Sequence, residues 1–116
     1  MATSSPKDAP WPVGLDRFQR EIGEWAESVF TQATPQSIVA HLGREVAELA
    51  TSTHLGPLQD EEEEAADCFL LLLHYAHRRG FSLLTVAHQK FEENRQREWG
   101  TPDAEGVVEH VREVSS

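Results

Sequence analysis

The sequence predicts an all-α fold, a four-helix bundle in which helices complete the core across an oligomer interface. Apolar residues recur every three or four positions along four stretches, which is the spacing of one helix face, and no stretch alternates as a strand does. The third stretch is apolar on nearly every side over residues 65–73, so it must be central or cover its outer face with another subunit. At 116 residues, the chain has the length of one domain with a modest core.

The first two predicted helices are bounded by proline and glycine. Residues 1–13, rich in Ser, Pro and Ala, are expected to form a flexible arm, and the first helix begins at Leu15. Thr34 and Pro35 match an N-cap followed by proline at the first helical position. The second helix is then predicted to run to about Thr53 and to end before Gly56-Pro57.

Two further helices follow. Asp60 is the predicted cap of the third helix, whose first turn would be the acidic residues 61–64, and Arg78-Arg79-Gly80 is a suitable end for it. Ser82 is the predicted cap of the fourth helix, which would run to about Trp99 with four apolar residues facing inward: Leu83, Val86, Ala87 and Phe91. The helical domain is therefore predicted to span 14–100, and 101–116 to be a tail able to form a short helix.

The charge balance restricts the partners. Twenty acidic against 10 basic residues give a net charge of −10, which argues against binding to nucleic acid or to an anionic membrane. Polyphosphates would be repelled as well, unless divalent cations bridge them to the protein. The single cysteine, Cys68, lies in an apolar run, and no signal peptide or membrane span of about 18 apolar residues is present. These features predict a soluble, cytoplasmic protein.

Two pairs of acidic residues carry the predicted chemistry. Glu45-Val46-Ala47-Glu48 lies on the second helix and Glu64-Ala65-Ala66-Asp67 on the third, and each pair shares one helix face beside apolar residues. If the two helices pack antiparallel, the pairs can face each other. Four converging carboxylates repel one another unless cations neutralise them, and hard oxygen ligands select Mg²⁺ or Mn²⁺. Such ions hold polyphosphates and activate water, so the pattern predicts metal-assisted phosphoanhydride hydrolysis.

A plainer interpretation of these acids is a solvated helix face. One such pair alone arises often on exposed helices, and the acids at 61–64 also suit the positive end of a helix dipole. Two pairs on consecutive helices, each beside an apolar stripe, favour the metal site.

Polar residues on the fourth helix are candidates for substrate binding. Lys90, Asn94 and Arg97 are spaced four and three apart and would share one face, where the cations can meet phosphate and the amide can bond a sugar or a base. The alternative is that Lys90 and Arg97 pair with Glu93, one helical turn from both.

With these motifs, the sequence resembles the MazG-like all-helical nucleoside triphosphate pyrophosphohydrolases, which carry ExxE on one helix and ExxD on the next. The layout from Phe18 to Trp99 looks most like the dATP/dGTP diphosphohydrolase branch of bacteria and their phages. The similarity covers about 80 residues, and apart from the acidic motifs it is clearest in the segments 18–21, 65–67, 79–80 and 90–99.

The resemblance implies cleavage between the α and β phosphates of a purine (deoxy)nucleoside triphosphate, dGTP slightly ahead of dATP, to give the monophosphate and pyrophosphate. It also implies a homo-oligomer, a dimer or a tetramer, with sites near subunit interfaces. Two or three Mg²⁺ or Mn²⁺ ions would be held by Glu45, Glu48, Glu64 and Asp67, with Glu48 and Glu45 assigned as catalytic.

Some features depart from the family pattern or stay open. The dense acidic run Glu61-Glu62-Glu63 leaves open which acid besides Glu64 meets a metal, and no clear pattern for base recognition is present. Phe18, Trp25 or Trp11 can stack on a purine, although aromatic residues in a helix stripe more often belong to the core. Two alternatives remain, a pyrimidine substrate such as dUTP or dCTP, and a non-catalytic acidic helical module that binds a partner through helices one and three.

Overall fold

The computed structural model describes residues 14–112, and these form four α-helices and no β-strand, as the sequence predicts. The helices are α1 (Leu15–Val29), α2 (Pro35–Leu55), α3 (Leu58–Arg79) and α4 (Leu83–Arg95). The predicted arm, residues 1–13, lies outside the described residues, as do residues 113–116 of the tail. The chain divides into two compact units, one ending at Leu84 and the other beginning at Thr85. Within residues 14–112, no helix combines the length and apolar character needed to cross a membrane.

Helix α2 begins where the sequence predicts. The Thr34 hydroxyl accepts a hydrogen bond from the Ser37 amide at 3.0 Å, and the Ser37 hydroxyl accepts one from the Thr34 amide at 2.8 Å. This reciprocal cap satisfies two amides that the helix leaves unbonded, and Pro35 fits the first turn because its position needs no N–H. The helix continues to Leu55, two residues beyond the predicted end.

The start of α3 corrects the sequence prediction. The helix begins at Leu58 with Pro57 at the cap position, so Asp60 is not the cap but lies in the first turn with Glu61. The Pro57 carbonyl accepts a hydrogen bond from the Asp60 amide at 3.0 Å. Proline has its φ already fixed and lacks an N–H, so the helix can start directly after it, and Asp60 then interacts with the dipole as a first-turn acid.

Helix α3 ends as predicted. Gly80 adopts a left-handed conformation with φ of 81°, which glycine reaches without steric cost. The amides of Gly80 and Phe81 donate hydrogen bonds to the Ala76 carbonyl at 2.9 and 3.0 Å, and the cations at 78 and 79 lie at the negative end of the helix.

In the first unit, α3 packs against both α1 and α2. The buried apolar residues among 14–112 are Ala26, Ile38, Leu73 and Ala76, which make a small core. Much of the apolar surface stays exposed. Val39 and Val46 on α2 are 49% and 50% exposed, and the outer face of α3 is open at Phe69 and Leu72.

A buried glutamine ties α1 to the turn before α4. The Gln19 side chain donates a hydrogen bond to the Phe81 carbonyl at 2.7 Å and accepts one from the Leu83 amide at 3.0 Å. The Ser82 hydroxyl, directly before α4, donates to the Asp16 carboxylate at 2.5 Å. The two Gln19 bonds satisfy backbone groups that would otherwise be unpaired at the helix boundary.

The second unit differs from the sequence prediction in two ways. Helix α4 ends at Arg95 rather than near Trp99, and residues 101–112 form a loop rather than a short helix. The backbone of 98–100 instead pairs with that of 109–111. The Gly100 amide donates a hydrogen bond to the Glu109 carbonyl at 2.9 Å, and the Val111 amide donates one to the Glu98 carbonyl at 2.7 Å. This pairing uses backbone groups that a continued helix would need, and the Asp103 carboxylate caps the turn between the paired segments by accepting the amides of Glu105 and Val107.

The predicted inward face of α4 is not buried. Val86 and Phe91 are 43% and 58% exposed, Ala87 is exposed, and Leu83 is half-buried. The spacing that indicated a buried face identifies an apolar surface, and the described residues leave most of it uncovered.

A close approach of α1 and α3 depends on Gly23. A Cβ atom placed on Gly23 would lie 2.1 Å from Cγ of His77, whereas one placed on Gly43, on α2, would meet nothing within 4 Å. We therefore expect Gly23→Ala to destabilise the protein by about 1–3 kcal/mol through overpacking. The matched Gly43→Ala should stabilise it by about 0.5–1 kcal/mol, since alanine is the better helix former. Chemical unfolding of both variants tests this, and equal effects would show that the α1–α3 contact is not tight.

Candidate metal centre

The carboxylates of α2 and α3 converge, as the sequence predicts for antiparallel helices. Only Gly56 and Pro57 separate the two helices, which pack against each other. Glu45 and Glu48 from α2 and Glu64 from α3 each offer an oxygen, and these three oxygens lie within 4.8 Å of one another. Because the acids on α2 are three residues apart, both reach the same side of the helix pair.

Asp67, the fourth predicted ligand, lies one turn after Glu64 and outside this group of three. It is nevertheless close, because it lines a cavity together with Glu45. The pKa of the neighbouring Cys68 thiol is raised by burial, followed by the charges of Glu45, Glu64 and Asp67, so these acids act on one place. Asp67 as a metal ligand stays a prediction.

Electrostatic repulsion is relieved in part by a shared proton. A hydrogen bond between the carboxyl groups of Glu45 and Glu64 lowers the pKa of Glu45 and, with burial and the nearby Glu48, raises the pKa of Glu64 to about 7. Like charges this close favour one protonated partner. A divalent cation would replace that proton as the neutralising charge.

The donor set fits a hard divalent cation. Three carboxylates from two helices supply oxygen ligands of the kind that Mg²⁺ and Mn²⁺ prefer. Glu64 Oε2 is buried, and no hydrogen-bond donor among the described residues reaches it. A buried carboxylate oxygen without a donor is costly, so a coordinated cation would satisfy an atom that the fold leaves unsatisfied.

His41 is a neighbour of the site that the sequence reasoning missed. Its Nε2 lies 3.2 Å from Oε1 of Glu45, one helical turn away on α2. The spacing of four residues was the available signal, since such pairs meet on a helix surface. A hydrogen bond from His41 restricts the orientation of the Glu45 carboxylate, as partners of metal ligands commonly do.

Two adjoining cavities lie beside the carboxylates in the first unit. The smaller, of about 220 Å³, is lined by Glu45 and Asp67 together with apolar residues of α1 and α3, and the larger measures about 570 Å³. They share four lining residues, which are Phe30, His41, Leu71 and His74. Glu48 and Glu64 line a separate cavity of about 370 Å³.

Of the predicted stacking residues, Trp25 lines the smaller cavity and Phe18 lines neither of the two. Trp25 is 56% exposed and contacts Phe30 edge to face, with ring centroids 5.7 Å apart. Phe30 was not predicted as a site residue, because its position in the α1 stripe indicated only a core role. Trp11 lies outside the described residues.

The predicted substrate residues of the fourth helix belong to the second unit. Arg97 lies beyond the end of α4, so it does not share a helix face with Lys90 and Asn94 as predicted. The Glu93 carboxylate accepts a hydrogen bond from the Arg97 guanidinium at 2.6 Å and lies 3.7 Å from Lys90 Nζ. These are the ion pairs that the alternative interpretation expected. Binding of substrate by these three residues stays a prediction.

A family model described as dATP/dGTP pyrophosphohydrolase matches residues 18–116. The chain belongs to this family. A family relative, the dATP/dGTP diphosphohydrolase of Salmonella phage PMBT28, is 31% identical over 93 residues, which are 80% of this chain. The matched region is 30% of that relative, so the chain spans less than a third of its length.

Structure comparison supports the same assignment. A cyanophage S-2L MazG-like pyrophosphohydrolase, solved with dGDP and three catalytic Mn²⁺ ions per active site, matches with a TM-score of 0.73 and 25% identity. The match covers 90% of this chain and 100% of that one, which confirms the predicted MazG-like fold.

The raised pKa of Glu64 predicts how pH affects the stability of the metal-free protein. The folded protein holds this proton up to a pH of about 7, while an unfolded carboxyl releases it near 4.5. Stability from the proton is therefore fully present below pH 4.5 and is lost as the pH rises to about 7. The lowered pKa of Glu45 acts in the other direction only below this window.

We expect the unfolding free energy of the chelator-treated protein to fall between pH 5 and 8, and to fall less in Glu64→Gln, which cannot titrate. Mg²⁺ or Mn²⁺ added at pH 8 should restore the stability of the wild type, because a ligand of the native state stabilises it. Denaturant titrations measure both effects. The same pH dependence in the wild type and in Glu64→Gln would contradict the shared proton.

Proposed function

We propose that the chain hydrolyses purine deoxynucleoside triphosphates, dGTP or dATP, to the nucleoside monophosphate and pyrophosphate in a reaction that requires divalent cations. The observation that supports it is the convergence of Glu45, Glu48 and Glu64 within 4.8 Å in a chain of net charge −10. Without cations, this surface would repel a triphosphate, so metal and substrate must bind together.

The four carboxylates have different proposed roles in metal binding and catalysis. Glu45, Glu48 and Glu64 would hold the ions, with Asp67 as the fourth ligand at the edge of the cavity that it shares with Glu45. When bound, the ions supply charge neutralisation for the phosphates and an activated water. Glu48 and Glu45 are the proposed catalytic carboxylates, because Glu48 is the exposed member of the group and either can accept a proton from an attacking water.

The substrate class rests on the relatives. The family name and the Salmonella phage relative specify dATP and dGTP, and the cyanophage protein was solved with dGDP and Mn²⁺. By this likeness, two or three Mg²⁺ or Mn²⁺ ions per site serve as cofactors. The aromatic residue Trp25 beside the carboxylates is the proposed stacking partner of the base, with Phe18 a further candidate. Lys90, Asn94 and Arg97 are proposed to meet the phosphates or the sugar.

Exposed apolar residues support a homo-oligomer, a dimer or a tetramer. In the first unit they lie on all three helices, and a second copy packed on them would complete the core as the fold prediction requires. Apart from Trp25 and Phe30, which line the smaller cavity, the residues are Val29, Val39, Val46, Leu55, Leu58, Phe69 and Leu72. The free Cys68 and the acidic surface are consistent with a cytoplasmic protein that binds no nucleic acid.

Product analysis tests the proposed reaction. We expect chromatography to show dGMP or dAMP together with pyrophosphate when the wild type is incubated with dGTP or dATP and Mg²⁺ or Mn²⁺. Glu48→Gln should lower kcat on the order of 10²-fold or more, as loss of an ionic group that acts in the transition state does. The matched control is Glu62→Gln, an exposed acid of α3 outside the metal group, and it should keep wild-type activity.

Other outcomes favour the alternatives. Turnover of dUTP or dCTP in preference to purine substrates would show a pyrimidine enzyme of the same fold. No turnover of any triphosphate with either metal would contradict the enzyme assignment and favour a non-catalytic helical module.

A further inference from the structure

His74 is a buried polar residue in the wall of the two adjoining cavities of the first unit. It lies on α3 and is 3% exposed. It is one of the four residues that the smaller and larger cavities share. No hydrogen-bond partner reaches its buried Nε2. Buried polar atoms are nearly always bonded, so a buried imidazole that lines a cavity and lacks a hydrogen bond is a candidate for contact with a ligand.

An ion pair between Glu27 on α1 and Arg78 on α3 lies next to the His74 ring. His74 Nε2 lies 3.6 Å from Oε1 of Glu27 on α1, which is too long for a hydrogen bond. The other oxygen of Glu27 accepts a hydrogen bond from Arg78 at 2.8 Å, which fixes the carboxylate in place. Because Nε2 is buried against Glu27, which lines neither cavity, other atoms of His74 line the cavities, and Nδ1 is the ring nitrogen open to a ligand.

The imidazole is held in its neutral form. Burial lowers the pKa of His74 from its ordinary value of 6.5, and the attraction of Glu27 only partly offsets that effect. A neutral imidazole carries one N–H donor and one acceptor nitrogen. With the N–H on Nε2 directed at Glu27, Nδ1 is the acceptor, and most of the residues that line the smaller cavity with it are apolar.

The cavities suit the part of a nucleotide that is not phosphate. Glu45 and Asp67 line the smaller cavity at one side, so a phosphate bound through cations at the carboxylates leaves the rest of the molecule directed into it. The other walls include Trp25, Phe30 and Leu71, which match a flat heterocycle. The larger cavity of about 570 Å³ falls in the usual range for small-molecule sites, about 300–1,000 Å³.

We propose that His74, positioned by Glu27 and Arg78, is the hydrogen-bond partner of the nucleobase in this cavity and sets the preference among bases. This assignment rests on the proposed function, since it presumes that the phosphates bind at the carboxylates. In the smaller cavity, where most of the lining residues are apolar, a nitrogen acceptor recognises an N–H donor on the edge of the base. A base that cannot offer one leaves His74 unsatisfied, and that mismatch discriminates more strongly than an apolar contact.

Steady-state kinetics with two ligands tests the proposal. Inorganic tripolyphosphate, which has no base, serves as a competitive inhibitor that occupies the metal centre alone. We expect His74→Leu to raise KM for dGTP on the order of tenfold, with a smaller change in kcat and with the inhibition constant of tripolyphosphate unchanged. Relative to His74→Leu, His74→Asn, which puts an amide near the position of Nδ1, should partly restore KM, whereas His74→Gln, which puts an amide near that of Nε2, should not.

A stability control separates binding from folding. Leu73→Ala removes a fully buried neighbour that lines neither cavity, so it should lower the melting temperature while leaving KM unchanged. On the wild type itself, NMR of the ¹⁵N-labelled imidazoles in Mg²⁺ should show the His74 nitrogens shifting with dGMP and not with tripolyphosphate. This measurement requires no variant to fold.

The outcomes distinguish the two levels of the account. An unchanged KM in His74→Leu, or imidazole shifts that are the same for both ligands, would overturn the role of His74 while the hydrolase assignment stands. A parallel loss of tripolyphosphate inhibition would show that His74 supports the metal centre rather than the base. If the wild type neither hydrolyses dGTP nor binds tripolyphosphate with Mg²⁺, the proposed function fails and the assignment of His74 fails with it.

Discussion

Repulsion among carboxylates on two packed helices is the constraint on which the rest of this structure depends. Glu45, Glu48 and Glu64 are brought together because α2 and α3 are joined by only two residues and pack against each other. The shared proton between Glu45 and Glu64 relieves part of the repulsion, and one oxygen of Glu64 remains buried without a donor. A divalent cation satisfies both requirements, and the same charge lets an acidic protein accept a polyphosphate.

The helix ends and the contacts between helices place the acids and the cavity walls next to each other. The capped start of α2 at Thr34 and the glycine end of α3 at Gly80 set the lengths of the two helices that carry the acids. Helix α1 also packs against α3, where the close contact at Gly23 and the Glu27–Arg78 ion pair position the cavity walls next to the acids. The small buried core and the extensive exposed apolar surface fit a chain whose assembly completes its packing.

Local signals made much of this predictable from the sequence. Thr34-Pro35 and Arg79-Gly80 act on adjacent backbone groups, so their roles as helix boundaries could be inferred without the fold. The end of α4 could not, because it is set by pairing of 98–100 with 109–111, a contact between distant residues. The prediction that Asp60 caps α3 was wrong, because Pro57 occupies the cap position and Asp60 lies in the first turn.

The candidate site divides in the same way. Convergence of three acids followed from their spacing and the short connection between helices, whereas Asp67 lies outside that group. The position of His74 could not be predicted, because its burial depends on how α1 packs over α3, a contact between residues distant in the sequence. Phe30 could not be predicted for a related reason, because the sequence pattern of an aromatic residue in a helix stripe is the same whether it lies in a core or in a cavity wall.

Anomalous X-ray scattering from crystals grown with Mn²⁺ would test the central claim most directly. The account predicts manganese peaks within coordination distance of the carboxylate oxygens of Glu45, Glu48 and Glu64, and the loss of at least one peak in crystals of Glu48→Gln. Ordered side chains at these positions with no manganese among them, at a Mn²⁺ concentration that supports turnover, would contradict it.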